Sequence, residues 1–169
     1  FIDNTLSIVL MVGCSQKDER YASLAFSEAL KSSMLMKHGC IAVVNGKIVA
    51  RGHNHYRTYS KDRFICNCCS CHAEVDVLRK CSYAVDDHRI HKIVLYIVRI
   101  SNEKGKHSYQ NSAPCTQCRQ LMLKMKIKYM IYSDSLGMLV KCKIRDFHVD
   151  HQSSGQSAIV NGRVTCGVF

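Results

Sequence analysis

Residues 128–147 read KYMIYSDSLGMLVKCKIRDF. The first six, Lys128 to Ser133, have the β-branched and aromatic character of a strand. From Met138 onward, Met138, Val140, Cys142 and Ile144 alternate with Lys141, Lys143 and Arg145, the period of a half-buried strand with a basic outer face. Asp134 to Gly137 are all that separates the two segments. A connection that short closes an antiparallel hairpin but cannot hold a helical crossover, which needs roughly a dozen residues or more. The last two strands are therefore expected to be antiparallel.

Working outward, residues 91–100 (HKIVLYIVRI) form the near-continuous apolar run of a strand buried on both faces. Cys40 to Val44 and Lys47 to Ala50 flank Asn45-Gly46, a dipeptide preferred in tight hairpin turns. Tyr21, Leu24, Ala25, Ala29 and Leu30 recur at helical spacing and predict an amphipathic helix from Asp18 to about Met36. His72 to Cys81, with Val75, Val77 and Leu78, and Cys115 to about Lys126 read as two more helices. Residues 53–71 and 101–113 read as polar loops. The pattern is an α/β fold with one mixed five-stranded sheet and helices packed on it. One domain is expected over 1–169, with an N-terminal extension at 1–19. The tail at 148–169 carries an Asn161-Gly162 pair that could add a hairpin.

A chain of 169 residues can bury one core, and 47% hydrophobic residues with a single proline exclude a disordered or fibrous class. The net charge of +11 favours anionic partners: nucleotides, nucleic acid or acidic membrane surfaces. A solvated lysine-rich surface is the alternative reading. Eleven cysteines would suit a secreted disulfide scaffold, but their placement argues otherwise. Cys66, Cys68, Cys69 and Cys71 crowd together and Cys115 and Cys118 form a C-x-x-C pair, which reads as metal chemistry in a reducing, intracellular setting (cytoplasm or nucleus). No apolar run approaches the ~18 residues of a membrane span, so no membrane partner is expected. Leu6 to Val12 lacks the basic flank and cleavage site of a secretory signal.

Two motifs concentrate the chemistry. Cys71-His72-Ala73-Glu74 opens one helix, and Pro114-Cys115-Thr116-Gln117-Cys118 opens another after a buried strand. One imidazole (His72) and two thiolates (Cys115, Cys118) suit Zn2+, and three ligands leave a fourth position for water. Residues three apart at a helix start share one face. Zinc would lower the pKa of its water until hydroxide is available near neutral pH. Glu74, close by but not needed as a ligand, could then carry protons to a ring nitrogen and to a departing amine. Either motif alone is common; a purely structural zinc with Glu74 solvated is the alternative to the catalytic reading.

The H-x-E and P-C-x-x-C pair matches the zinc deaminase pattern. With the segment GCIAVVNGKIVARGHN at 39–54, the chain resembles the cytidine and deoxycytidylate deaminase superfamily across roughly residues 20–147. The resemblance implies a three-layer α/β/α fold and hydrolytic deamination of cytosine in a nucleoside or nucleotide. It further implies that Asn54 hydrogen-bonds the sugar or base, with a loop-capping turn residue as its alternative, and that the Ala73 N–H and Ala113 carbonyl contact the base edge. CHAEVDVLRKC is also similar to tRNA-editing and riboflavin-pathway deaminase domains, but those typically run a helix between their last two strands. Polynucleotide cytosine deaminases usually have tryptophan just before the PC motif, whereas this chain has Asn111-Ser112-Ala113 and no tryptophan. Some deoxycytidylate deaminases hold a second, structural zinc, a role open to Cys66, Cys68, Cys69 and Cys71 unless these are reduced structural thiols. The expected partners are a nucleoside or nucleotide and further copies of the chain. Single-stranded nucleic acid, met by Lys141, Lys143 and Arg145 and stacked on tyrosines such as Tyr56 and Tyr59, is the second reading. An inactive zinc-stabilised module is the third, and an intact Glu74 speaks against it.

Overall fold

The computed structural model describes residues 13–103 and 106–164. Helix α1 (Gln16–Leu30) leads into β1 (Lys37–Val44) and β2 (Lys47–His53). Then come α2 (Ala73–Ala84), the single turn α3 (Asp87–Ile90), β3 (Val94–Glu103), β4 (Lys106–Gln110) and α4 (Thr116–Lys124). β5 (Tyr129–Ser133), β6 (Leu139–Lys143), a 3-10 turn (Ile144–Asp146) and α5 (Ser154–Val160) complete the described chain. Most of the extension expected at 1–19 lies outside the described residues; α1 begins at Gln16, within it.

The strands form one sheet in the order β2-β1-β3-β5-β6, with β4 added on β3. β3 and β5 are the parallel pair, and the other pairings are antiparallel, including β5 with β6 as their short connection requires. Asp134 organises that hairpin: its carboxylate accepts from Leu136 N (2.9 Å) and Met138 N (2.8 Å). At the first hairpin, Asn45 (φ 49°) and Gly46 (φ 79°) both take the left-handed conformation that their residue types favour.

The sheet alternates between two helical layers. Ile41, Val43, Tyr96, Val98 and Ile100 face α1, which presents Ala22, Ala25 and Ala29. Cys40, Ala42, Val44, Leu95, Ile97 and Met130 face α2 and α4, which contribute Val77, Leu78, Cys81, Cys118 and Met122. This is the three-layer α/β/α arrangement. Alanines let α1 ride close: a side chain on Gly39 would start 2.0 Å from the Ala25 carbonyl oxygen.

Several expectations need correction. The sheet has six strands, because Lys106–Gln110, within a segment that reads as loop, pairs with Arg99–Glu103. Arg99 and Ile100 already pair with β1 on their other edge, so β4 extends the edge that β5 uses along Val94–Ile97. Helix α1 stops at Leu30 rather than near Met36; the Ser32 hydroxyl donates to the Asn54 carbonyl (2.9 Å) and turns the chain into β1. Asn161-Gly162 ends a helix instead of turning a hairpin: Gly162 N donates to Ile159 O and Arg163 N to Ala158 O, closing α5 with a left-handed cap. β6 ends at Lys143, and its basic face is not wholly outward, since Lys141 Nζ lies 3.6 Å from Asp18 of α1. Among the described residues no helix is long and apolar enough to cross a membrane.

Candidate metal centre

Helix N-caps are usually Ser, Thr, Asp or Asn, whose side chains close the first turn. Here the N-cap of α2 is His72 and that of α4 is Cys115, and neither side chain caps its own helix. Both have extended backbones and turn their donors toward one another. His72 Nδ1 lies 3.6 Å from Cys115 Sγ and 3.3 Å from Cys118 Sγ. The three donor atoms all fall within 4.8 Å of one another, the one such group of His, Cys, Asp or Glu side chains among the described residues. From outside the helix, Thr116 N and Thr116 Oγ1 both donate to the His151 carbonyl at 3.0 Å.

The electrostatics suit a cation. The Cys118 thiol, hydrogen-bonded to Cys115, outweighs burial and, with the His72 imidazole, draws the Cys115 thiol down to about 4. The bond to Cys115 in turn holds His72 up at about 9 against the opposing effect of burial. Cys118 is pushed upward by the same bond to Cys115 and by its own burial. A thiolate stands ready and the imidazole carries a proton that a metal would displace, as soft-metal ligands do on loading. One nitrogen and two sulfurs within this spacing fit zinc. Glu74, on the first turn of α2, is 4% exposed, and burial raises its carboxyl pKa. It interacts with His72 and Cys115 and shares a hydrogen bond with Cys118, so it stands beside the trio.

The other expected site residues are placed as follows. Ala73 is buried at the first position of α2, where amides have no intrahelical acceptor. Ala113 is half-buried in the loop before Pro114, and its N–H donates to Asn111 Oδ1 (3.0 Å). Asn54 is 6% exposed, and its amide fastens the start of β1, accepting from His38 N (2.8 Å) and donating to Met36 O (2.6 Å). That is the loop-holding role given above as the alternative to substrate contact.

Sequence reasoning missed Ser112 and Ser133. Ser112 Oγ donates to Ile97 O (2.8 Å) and accepts from Ser133 N (2.9 Å), while Ser133 Oγ donates to Gln110 O (2.6 Å). These buried hydroxyls tie the loop carrying Ala113, Pro114 and Cys115 to β3 and β5. Their one sequence signal is serine next to apolar strands, which is too common to read.

The structure does not gather Cys66, Cys68, Cys69 and Cys71 into a second metal cluster. Cys66 is exposed and Cys71 buried. Cys68 donates to Thr58 O, Cys69 to Gly155 O and Cys71 to His72 O. Burial pushes the Cys71 thiol up to about 12.

The family model described as the cytidine and deoxycytidylate deaminase zinc-binding region matches residues 15–134. Among solved structures, the apo dCMP deaminase of cyanophage S-TIM5 is similar at 24% identity and TM-score 0.52, over 70% of this chain and 82% of that one. The same phage enzyme in complex with dCMP and dUMP is 23% identical, with TM-score 0.48, over 69% and 80%. A mutant cytidine deaminase of Mycobacterium tuberculosis is 16% identical, with TM-score 0.49, over 80% and 97%. The likeness to the apo phage enzyme concerns the fold. No curated protein sequence matches the chain.

Proposed function

Since the chain belongs to the family of the cytidine and deoxycytidylate deaminase zinc-binding region, we propose that it hydrolytically removes the exocyclic amine of cytosine in a free nucleoside or nucleotide. The observation that supports this most is Glu74, a buried carboxyl with a raised pKa, set beside the His72, Cys115 and Cys118 donors. A structural zinc site has no need of such a group.

His72, Cys115 and Cys118 would hold the ion, which when bound supplies the Lewis acidity that makes water a nucleophile near neutral pH. Glu74 moves the protons. Its raised pKa lets the carboxyl accept one from water, deliver it to the ring nitrogen and then protonate the departing amine. Cytosine and water become uracil and ammonia. The free Ala73 N–H and the Ala113 carbonyl would meet the base edge. Asn54 keeps one amide hydrogen and one lone pair beyond its bonds to β1, and through these it would reach the sugar.

A second reading, action on single strands, draws on the +11 charge and on Tyr56 (64% exposed) and Tyr59 (50% exposed) just beyond Asn54. One experiment separates the readings. The zinc-loaded protein is incubated with cytidine, dCMP, deoxyadenosine and a mixed-sequence single strand, and ammonia release and base conversion are followed. Turnover of cytidine or dCMP is expected. Conversion confined to the strand would transfer the assignment to the second reading, and no conversion of any substrate would sink both.

A further inference from the structure

α4 starts at the metal ligands and runs away from them. At its far end, roughly 13 Å along the helix at ~1.5 Å per residue, Leu123, Ile127, Lys128, Tyr129, Lys143 and Arg145 line a cavity of about 330 Å³. That volume falls in the range of small-ligand sites, about 300–1,000 Å³. None of these residues takes part in the chemistry at Glu74.

The lining has two chemical halves. Ile127 is buried and Leu123 is 38% exposed, giving an apolar floor. Tyr129 on β5, 37% exposed, sits directly across the ladder from Lys143 on β6, so an aromatic ring and an ammonium group share one face. Lys128 and Lys143 make no ion pair with any described residue. Arg145 has Asp146 at 3.3 Å, but both side chains are largely exposed, at 74% and 59%, and a pair of that kind is worth little. Three cations thus surround an apolar floor with one aromatic wall. Bare phosphate would leave the apolar floor and ring unused, and an uncharged aromatic would leave the cations unmatched.

We propose that this cavity binds a nucleoside phosphate, with the phosphate held by Lys128, Lys143 and Arg145 and the base lying on Leu123, Ile127 and Tyr129. The phosphate could come from a free nucleotide or from a nucleic-acid strand, and the titrations below distinguish the two.

The test is calorimetric and does not depend on turnover. Zinc-loaded protein is titrated with guanosine 5′-monophosphate, guanosine, inorganic phosphate and an oligothymidylate, and the titrations are repeated on Lys128→Gln/Lys143→Gln, on Lys143→Gln alone and on Tyr129→Leu. The wild type should bind the nucleotide at least ~10-fold more tightly than guanosine or phosphate, and the double variant should lose at least ~10-fold, the equivalent of about 1.4 kcal/mol. Lys143→Gln, a change on an exposed edge strand, should lose part of that affinity with an unchanged melting temperature. Tyr129→Leu should erase the preference for nucleotide over phosphate. Tighter binding of the oligothymidylate through the same two lysines would identify a strand as the source. Absent binding to the wild type, or nucleotide affinity unaltered in both lysine variants, would overturn the proposal and leave the reading of Glu74 untouched.

Discussion

The carboxylate of Asp76 fills the space that a side chain on Gly52 would occupy: a Cβ at Gly52 would stand 2.2 Å from Asp76 Oδ2. Asp76 cannot swing aside cheaply, because it is buried, bonded to Lys80 Nζ at 2.6 Å and 3.6 Å from His55 Nε2. It also belongs to the first turn of α2, two residues after Glu74. Gly52→Ala should therefore push α2 off β2 and cost about 1–3 kcal/mol, the usual penalty of overpacking. Urea unfolding measures this. Gly13→Ala, where a Cβ meets nothing within 4 Å, is the matched control and should be near neutral. Equal stability of both variants would contradict the close approach.

Glu74→Gln removes the proton carrier while keeping the shape of a buried side chain. The variant should hold zinc and fold, yet lose at least ~100-fold in deamination rate, the lower range of what a positioned acid-base group contributes. Zinc content by elemental analysis and the rate of ammonia release are the two measurements. Full activity with zinc retained would remove Glu74 from the mechanism.

The parts of this architecture that were legible in the sequence are those set by neighbours in the chain. Asn45-Gly46 announces a turn because both residues tolerate positive φ, and the short link at Asp134–Gly137 forces β5 and β6 to be antiparallel. His72, Cys115 and Cys118 are legible because the two motifs form a recognisable pair and each sits at a helix start, although it is the fold that brings the two starts together. What was lost depends on distant partners. β4 is a polar strand at a sheet margin, where no buried face imposes alternation, so it reads as loop. Asn161-Gly162 has the same backbone permissiveness as Asn45-Gly46, and it is the helix Ser154–Val160 before it that makes it a cap. Asn54 clasps Met36 and His38, 18 and 16 residues upstream, and Ser112 clasps Ser133, 21 downstream. No local pattern records such bonds.

Removing one sulfur should empty the centre. In Cys115→Ala the imidazole of His72 loses a hydrogen-bond partner, and two donors remain where three are needed to hold the ion. Zinc affinity should fall by at least ~100-fold, beyond the ~10–100-fold cost of losing a residue that merely orients a ligand. Competition with a chromogenic chelator reads this out, and thermal melting should show the same loss because the ligands join α2 to α4. A variant that still binds one zinc per chain at wild-type affinity would mean that Cys115 is not a ligand.

Acid stability should depend on Asp18, the N3 residue of the α1 capping box. Burial opposes its charge, but the Tyr96 hydroxyl (2.7 Å), the Ser15 N–H and hydroxyl, and Lys141 together outweigh it and lower its pKa below the ordinary 3.8. Between that lowered value and 3.8 the unfolded chain binds more protons than the folded one, so stability rises with pH through this window. The contribution is complete above the unfolded value and drains away as pH falls through the folded one. Asp18→Asn should be less stable than wild type at pH 7 and should show a shallower loss of stability below pH 4. Urea unfolding at a series of pH values tests both halves of this, and parallel curves for the two proteins would mean that the carboxylate carries no differential charge stabilisation in the fold.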